Sequence, residues 1–107
     1  MRLLLDESVP AKLRRSLPSH AVRTAVEMGW SGVKNGELLA LAASQFDAFI
    51  TVDKNLRYQQ NMATLPVAVI VLDGISNELH ALLPLVPGLE RALSTLKPCI
   101  YVLVDSC

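Results

Sequence analysis

Short unbroken apolar runs alternate along this chain with stretches whose apolar residues recur every three or four positions. The runs are Leu3-Leu4-Leu5 within a first strand from Arg2 to Glu7, the stretch from Phe46 to Asp53, Val67 to Asp73, and Cys99 to Val104. Apolar runs this short, bounded by charge or by proline, read as strands covered on both faces, as strands inside parallel sheets are. A weaker segment, Ser19 to Ala25, alternates small or apolar with polar residues after the Pro18-Ser19 punctuation and reads as a second strand. Between the strands the spacing changes to a helical one: Leu13 and Leu17 mark one stripe, and Leu38, Leu39, Ala42 and Phe46 another. Strands alternating with helical patterns predict βαβ crossovers. The fold class is therefore α/β, a three-layer α/β/α sandwich with a mainly parallel sheet of about five strands.

Punctuation sets the expected boundaries. Pro10 suits the first turn of a helix running to Leu17, where a missing N–H costs nothing. Asn35 is the expected N-cap of the next helix, with Glu37 in its first turn. Lys54 to Asn61 reads as a short polar helix or turn. Helical segments around Asn77–Leu83 and Gly88–Leu96 are expected on either side of Pro84 and Pro87. The leucine-rich stretch from Leu79 to Pro87 either covers the sheet or forms the face of a homodimer, the commonest form of soluble self-association being two-fold.

Composition narrows this without changing it. The chain has 107 residues, 51% of them apolar, which suits one domain over residues 1–107 with a full core. Ten basic residues balance ten acidic ones, so the strongly basic footprint of a dedicated DNA-binding domain is missing. The basic residues are concentrated in the first half, which directs any polyanion there. Cys99 and Cys107 form neither a disulfide framework nor a metal-ligand spacing. No run approaches the roughly 20 apolar residues needed to cross a bilayer, and the N-terminus is too poor in apolar residues for a signal peptide. The expectation is a cytoplasmic protein with no membrane partner.

The candidate chemistry lies where apolar strands end in carboxylates. Leu5 is followed by Asp6 and Glu7, and Val52 by Asp53. In open α/β sheets the carboxyl ends of the strands form the ligand-binding rim, so parallel strands would bring Asp6 and Asp53 together. Asp47 begins its strand, six residues from Asp53, or roughly 20 Å at about 3.3 Å per residue, and is assigned to the opposite edge. Glu37 reaches the rim only if its helix tilts inward. Carboxylates that share a rim raise one another's pKa unless a cation neutralises them. Oxygen ligands with no His or Cys nearby favour Mg²⁺ or Mn²⁺, and such ions assist phosphodiester hydrolysis. Purely structural roles compete: a turn or cap for each aspartate, capping for Asn35, the helix dipole for Glu37, and solvent or Lys12 for Glu7. Asp73 ranks below Asp6 and Asp53 because Gly74 after it suits a turn. Lys54 and Arg57 are candidate phosphate contacts and Tyr58 a candidate base-stacking residue, against the alternative of a solvated helix with Leu56 inward. Trp30 is expected to anchor its loop in the core, and His20 and His80 have no partner spacing.

Four strings carry a resemblance: Leu3-Leu4-Leu5-Asp6-Glu7, Met28-Gly29-Trp30-Ser31-Gly32, Asn35-Gly36-Glu37-Leu38-Leu39-Ala40-Leu41-Ala42 and Ile50-Thr51-Val52-Asp53-Lys54-Asn55-Leu56. Together they resemble a PIN-like domain of the short bacterial branch related to the toxin ribonucleases of toxin–antitoxin pairs. The likeness is strong over residues 2–61 and rests on strand and helix pattern beyond. It implies a parallel sheet between helices, acids gathered around Mg²⁺ or Mn²⁺, single-stranded RNA as substrate and a cognate antitoxin as partner. It implies Asp6 as the first acid, Glu37 as the helix acid, and Asp53 from the motif threonine, any residue, aspartate. Asn35 and Asn55 stand where relatives often carry aspartates; their amides can still ligate a hard cation but bring no charge. A metal-dependent ribonuclease is thus the leading expectation. A PIN-like module that binds RNA or protein without cutting, and a receiver-like phospho-accepting domain, are the alternatives.

Overall fold

A computed structural model describes residues 1–105, save the side chains of Arg57 and Met62. Three consecutive leucines leave a strand no solvent face, and Leu3, Leu4 and Leu5 are all fully buried. They lie in β1 (Arg2–Leu5), followed by β2 (Ala21–Thr24), α1 (Asn35–Ala43), β3 (Ala48–Thr51), α2 (Leu56–Gln59), β4 (Ala68–Asp73), α3 (Leu79–Leu82), α4 (Val86–Ser94) and β5 (Tyr101–Asp105). The five strands form one sheet in the order β2-β1-β3-β4-β5, and every pairing is parallel. The expected α/β class and parallel sheet are what the structure shows.

Alternating side chains divide the core in two. Leu3 and Leu5, with Ile50, Ile70 and Leu72, face Leu13, Leu17, Leu82, Leu85, Leu89 and Leu93 from the segments on one side. Leu4, Phe49, Val69 and Val71 face Leu38, Leu39 and Ala42 of α1 and Leu56 of α2 on the other. Each leucine so buried contributes about 1.5–3 kcal/mol relative to exposure. Helical segments on both faces complete the three layers, and account for runs with no polar alternation. No helix among the described residues is long and apolar enough to cross a membrane.

Two helical stretches differ from expectation. Residues Ala11–Ser16 form a 3-10 helix, with Pro10 in front of it in an extended conformation instead of inside the first turn. Leu13 and Leu17 each donate to the carbonyl three residues back, at 3.0 Å; the tighter winding still buries both side chains. Further on, Pro84 lies between α3 and α4 as expected, but Pro87 lies inside α4 and not before it. Each sits in a first turn, Pro84 in a 3-10 turn over Leu83–Leu85 and Pro87 in α4, where the lost N–H has no intrahelical acceptor anyway. Residues 79–94 therefore run on as three successive helical segments. Leu82 and Leu85 pack into the core, Leu79 against its margin, while Leu83 is 42% exposed, so most of the leucine-rich stretch covers the sheet.

From β1 the chain moves to β2 on one side, then crosses to β3 on the other. The order of strands therefore reverses between β1 and β3, and the crevice outside their carboxyl ends is the usual ligand position of a doubly wound sheet.

Candidate active site

The crevice is built around a threonine. Thr51, the last residue of β3, is fully buried. Its hydroxyl donates to Asp6 Oδ2 at 2.8 Å and accepts the backbone N–H of Asp53 at 3.1 Å. One oxygen thus joins the two aspartates that end the neighbouring strands. Asp6 also extends the pairing of β1 with β3, donating its backbone N–H to the Ile50 carbonyl at 2.9 Å. Its carboxylate takes two more bonds, from the Ser8 hydroxyl to Oδ2 and from the Glu7 N–H to Oδ1, each 2.8 Å.

Asp53 is held by amides. Its Oδ1 accepts the Asn55 backbone N–H at 2.9 Å, closing an Asx turn, and Oδ2 lies 3.4 Å from the Asn35 side-chain nitrogen. Asn35 is not the N-cap of α1. That position is Lys34, extended and without a side-chain cap bond. The Asn35 amide is turned to the Asp53 carboxylate, a stronger acceptor than a neutral partner because it is charged.

Glu7 binds neither solvent alone nor Lys12. Its carboxylate accepts the Gly32 N–H at 2.7 Å and the Ser31 hydroxyl at 3.3 Å, pinning the loop before α1 to the rim. Gly32 meets it with φ +79°, a conformation that disfavours side chains. Trp30, in the same loop, stacks edge-on against Phe46 with centroids 6.2 Å apart, the anchoring role expected of it.

The remaining candidates spread outward. Glu37 is exposed in the first turn of α1 and shares an open cleft with Lys34, Asn35, Gln59 and Gln60. Lys54 pairs with Asp73 Oδ1 at 2.6 Å. Tyr58 is 73% exposed on α2; the Arg57 side chain lies outside the described residues. Asp47 sits at the opposite edge, where it accepts the Arg2 N–H at 2.8 Å. His20 Nε2 meets Glu90 Oε1 at 2.6 Å, joining residues 70 apart in the chain, a pairing with no signal in local spacing, while His80 Nδ1 lies 3.3 Å from its near neighbour Glu78. Glu27 is held locally and at longer range: the Thr24 backbone N–H and then the Arg14 guanidinium, 2.7 Å away, lower its pKa.

The donor set at the crevice consists of oxygens, those of two carboxylates with hydroxyls beside them, which suits a hard cation and not Zn²⁺. No group of three His, Cys, Asp or Glu side chains able to hold a metal ion occurs among the described residues. Asp6, Glu37 and Asp53 are thus not brought together as such a group; Asp6 and Asp53 are the residues that would hold Mg²⁺ or Mn²⁺, with substrate and water completing the shell. They do not form a closed cage. Comparisons of the chain with family models, with curated proteins and with solved structures gave no match.

Proposed function

We propose that this chain is a metal-dependent ribonuclease that hydrolyses phosphodiester bonds of single-stranded RNA, with Asp6 and Asp53 as its central acids and a cognate antitoxin as its restraint. The observation that carries this reading is the Thr51 hydroxyl, which links the two acids at the point where the strand order reverses. A bound Mg²⁺ or Mn²⁺ would supply an activated water and charge neutralisation at the phosphate.

The chain's own residues supply orientation. Three donors aim the Asp6 carboxylate. Asn35 and the Asn55 N–H do the same for Asp53. Lys54 has given one of its three N–H groups to Asp73, leaving two for a phosphate oxygen. Glu37 and the amides of Gln59 and Gln60 face the adjoining cleft, where unpaired bases can be read by hydrogen bonding.

The test is cleavage of single-stranded RNA with Mn²⁺, alongside calorimetric Mn²⁺ binding. Cleavage and Mn²⁺ binding are both expected in the wild type and lost in Asp6→Asn and in Asp53→Asn. Intact RNA with no Mn²⁺ heat would overturn the nuclease reading. RNA binding without cleavage would instead favour the non-cutting module, for which the amide character of Asn35 and Asn55 speaks. The strand order also suits a phospho-accepting receiver, but β4 ends in Asp73, which holds Lys54, so acetyl phosphate is expected to leave Asp53 unmodified.

A further inference from the structure

A second cleft opens on the same rim, beyond Lys54. It has a volume of roughly 500 Å³ and lies between the end of β4 and α3. Its walls are of two kinds. Ile75, Pro84 and Leu85 give an apolar surface; Lys54, Asp73 and His80 give a polar mouth. Ile75 is 95% exposed in the loop after β4, an aliphatic side chain that the fold itself does not use. The Lys54 ammonium is directed to this cleft by Asp73 at 2.6 Å, one residue along the chain from Asp53.

We propose that this cleft is a nucleobase subsite, taking the base of the nucleotide next to the phosphate held at Asp6 and Asp53, with a preference for bases that carry an exocyclic amine. The inference rests on the ribonuclease reading of the rim. A base has an apolar face and a polar edge, and the cleft offers both in matching positions. Ile75 and Pro84 give the face an apolar contact that removes it from water. Lys54 meets the nucleotide's phosphate through its remaining N–H groups. Asp73 meets Lys54 through Oδ1, and its carboxylate has a second oxygen to offer a base edge; a carboxylate accepts from the cytosine N4 amine and has nothing to accept from the uracil O4. The cleft beside α1 is lined by amides and charges, so the acids lie between one surface that reads edges and another that holds a face.

The experiment follows backbone amide shifts of the wild-type chain by NMR, in EDTA, with cytidine 5′-monophosphate, uridine 5′-monophosphate and inorganic phosphate as probes. Cytidine monophosphate is expected to shift Lys54, Gly74, Ile75 and Ala81, and to bind about tenfold more tightly than uridine monophosphate. Phosphate alone should move only the surroundings of Lys54. Ile75→Glu, at a position exposed enough to spare the fold, is expected to weaken cytidine monophosphate about tenfold. Equal binding of the two nucleotides, shifts outside the cleft, or none at all would overturn the subsite. RNA cleavage without these shifts removes the subsite and leaves the nuclease reading; shifts in the cleft without cleavage do the reverse.

Discussion

The two rims of this sheet are made from the same strands, yet only one of them concentrates unspent chemistry. At the amino rim, Met1, Phe46, Asp47, Pro66, Lys97 and Cys99 line a cleft of roughly 370 Å³. Its carboxylate is committed to structure: Asp47 accepts the Arg2 N–H at 2.8 Å, faces the Arg2 guanidinium at 3.9 Å, and donates its own N–H to the Arg2 carbonyl at 2.7 Å. At the carboxyl rim, Asp6 and Asp53 are oriented by hydroxyl, backbone and amide donors, and among the described side chains no cation pairs with them. A cavity is a shape, and what it can do depends on whether its polar groups are already satisfied by the fold.

Mutations on the two rims should separate most widely in catalysis. Asp6→Asn or Asp53→Asn is expected to lower RNA cleavage by about 10²–10⁴-fold, while Asp47→Asn leaves the rate within a factor of two; an equal loss at Asp47 would erase the distinction. Thr51→Val probes the link between the acids. Removing the buried hydroxyl leaves part of Asp6 and the Asp53 N–H without their partner, at about 1–3 kcal/mol in denaturant unfolding, and should weaken Mn²⁺ binding by about 10–100-fold. Thr51→Ser should restore both.

Smaller effects test the structural rim. Asp47→Ala is expected to destabilise by about 1 kcal/mol through the lost bond to Arg2, with Mn²⁺ binding unchanged in calorimetry. The smallest concerns Glu27, whose pKa is lowered by the Thr24 N–H and by Arg14. A folded-state pKa below the unfolded one contributes stability above the unfolded value, and that contribution disappears as pH falls through the folded value. The stability difference between wild type and Glu27→Gln, measured by urea unfolding, should therefore be present at neutral pH and close below the ordinary glutamate range.

Much of the fold was legible because burial on both faces writes itself into the chain as unbroken apolar runs. β1, β3 and β4 stand within the strands read from them, and β5 overruns its stretch by one residue, Asp105. The helices were harder. Pro10 and Pro84 mark turns equally well in 3-10 and α geometry, and the hydrogen bonds that distinguish these are not encoded in side-chain spacing. At the site, Asp6 and Asp53 announced themselves as strand-ending acids, and the reversal of strand order brings them to one crevice. Thr51 was visible as a letter of a motif, but its position as the hydroxyl between two carboxylates depends on a neighbour 45 residues away. Asn35 was read as a cap because capping is the common local use of that side chain; a carboxylate 18 residues on outcompetes it.

What the sequence by itself determined was therefore local and periodic: which stretches are strands, which faces are apolar, and which strands end in acid. Only the tertiary structure decided the rest, namely that β1 and β3 are neighbours, that Glu7 holds Gly32, that Lys54 turns to Asp73, and that His20 meets Glu90 across 70 residues. The reason is physical. Periodicity records where a side chain stands relative to its own backbone, whereas the partner of a polar group is chosen by chain crossovers that bring distant segments within 3 Å of each other.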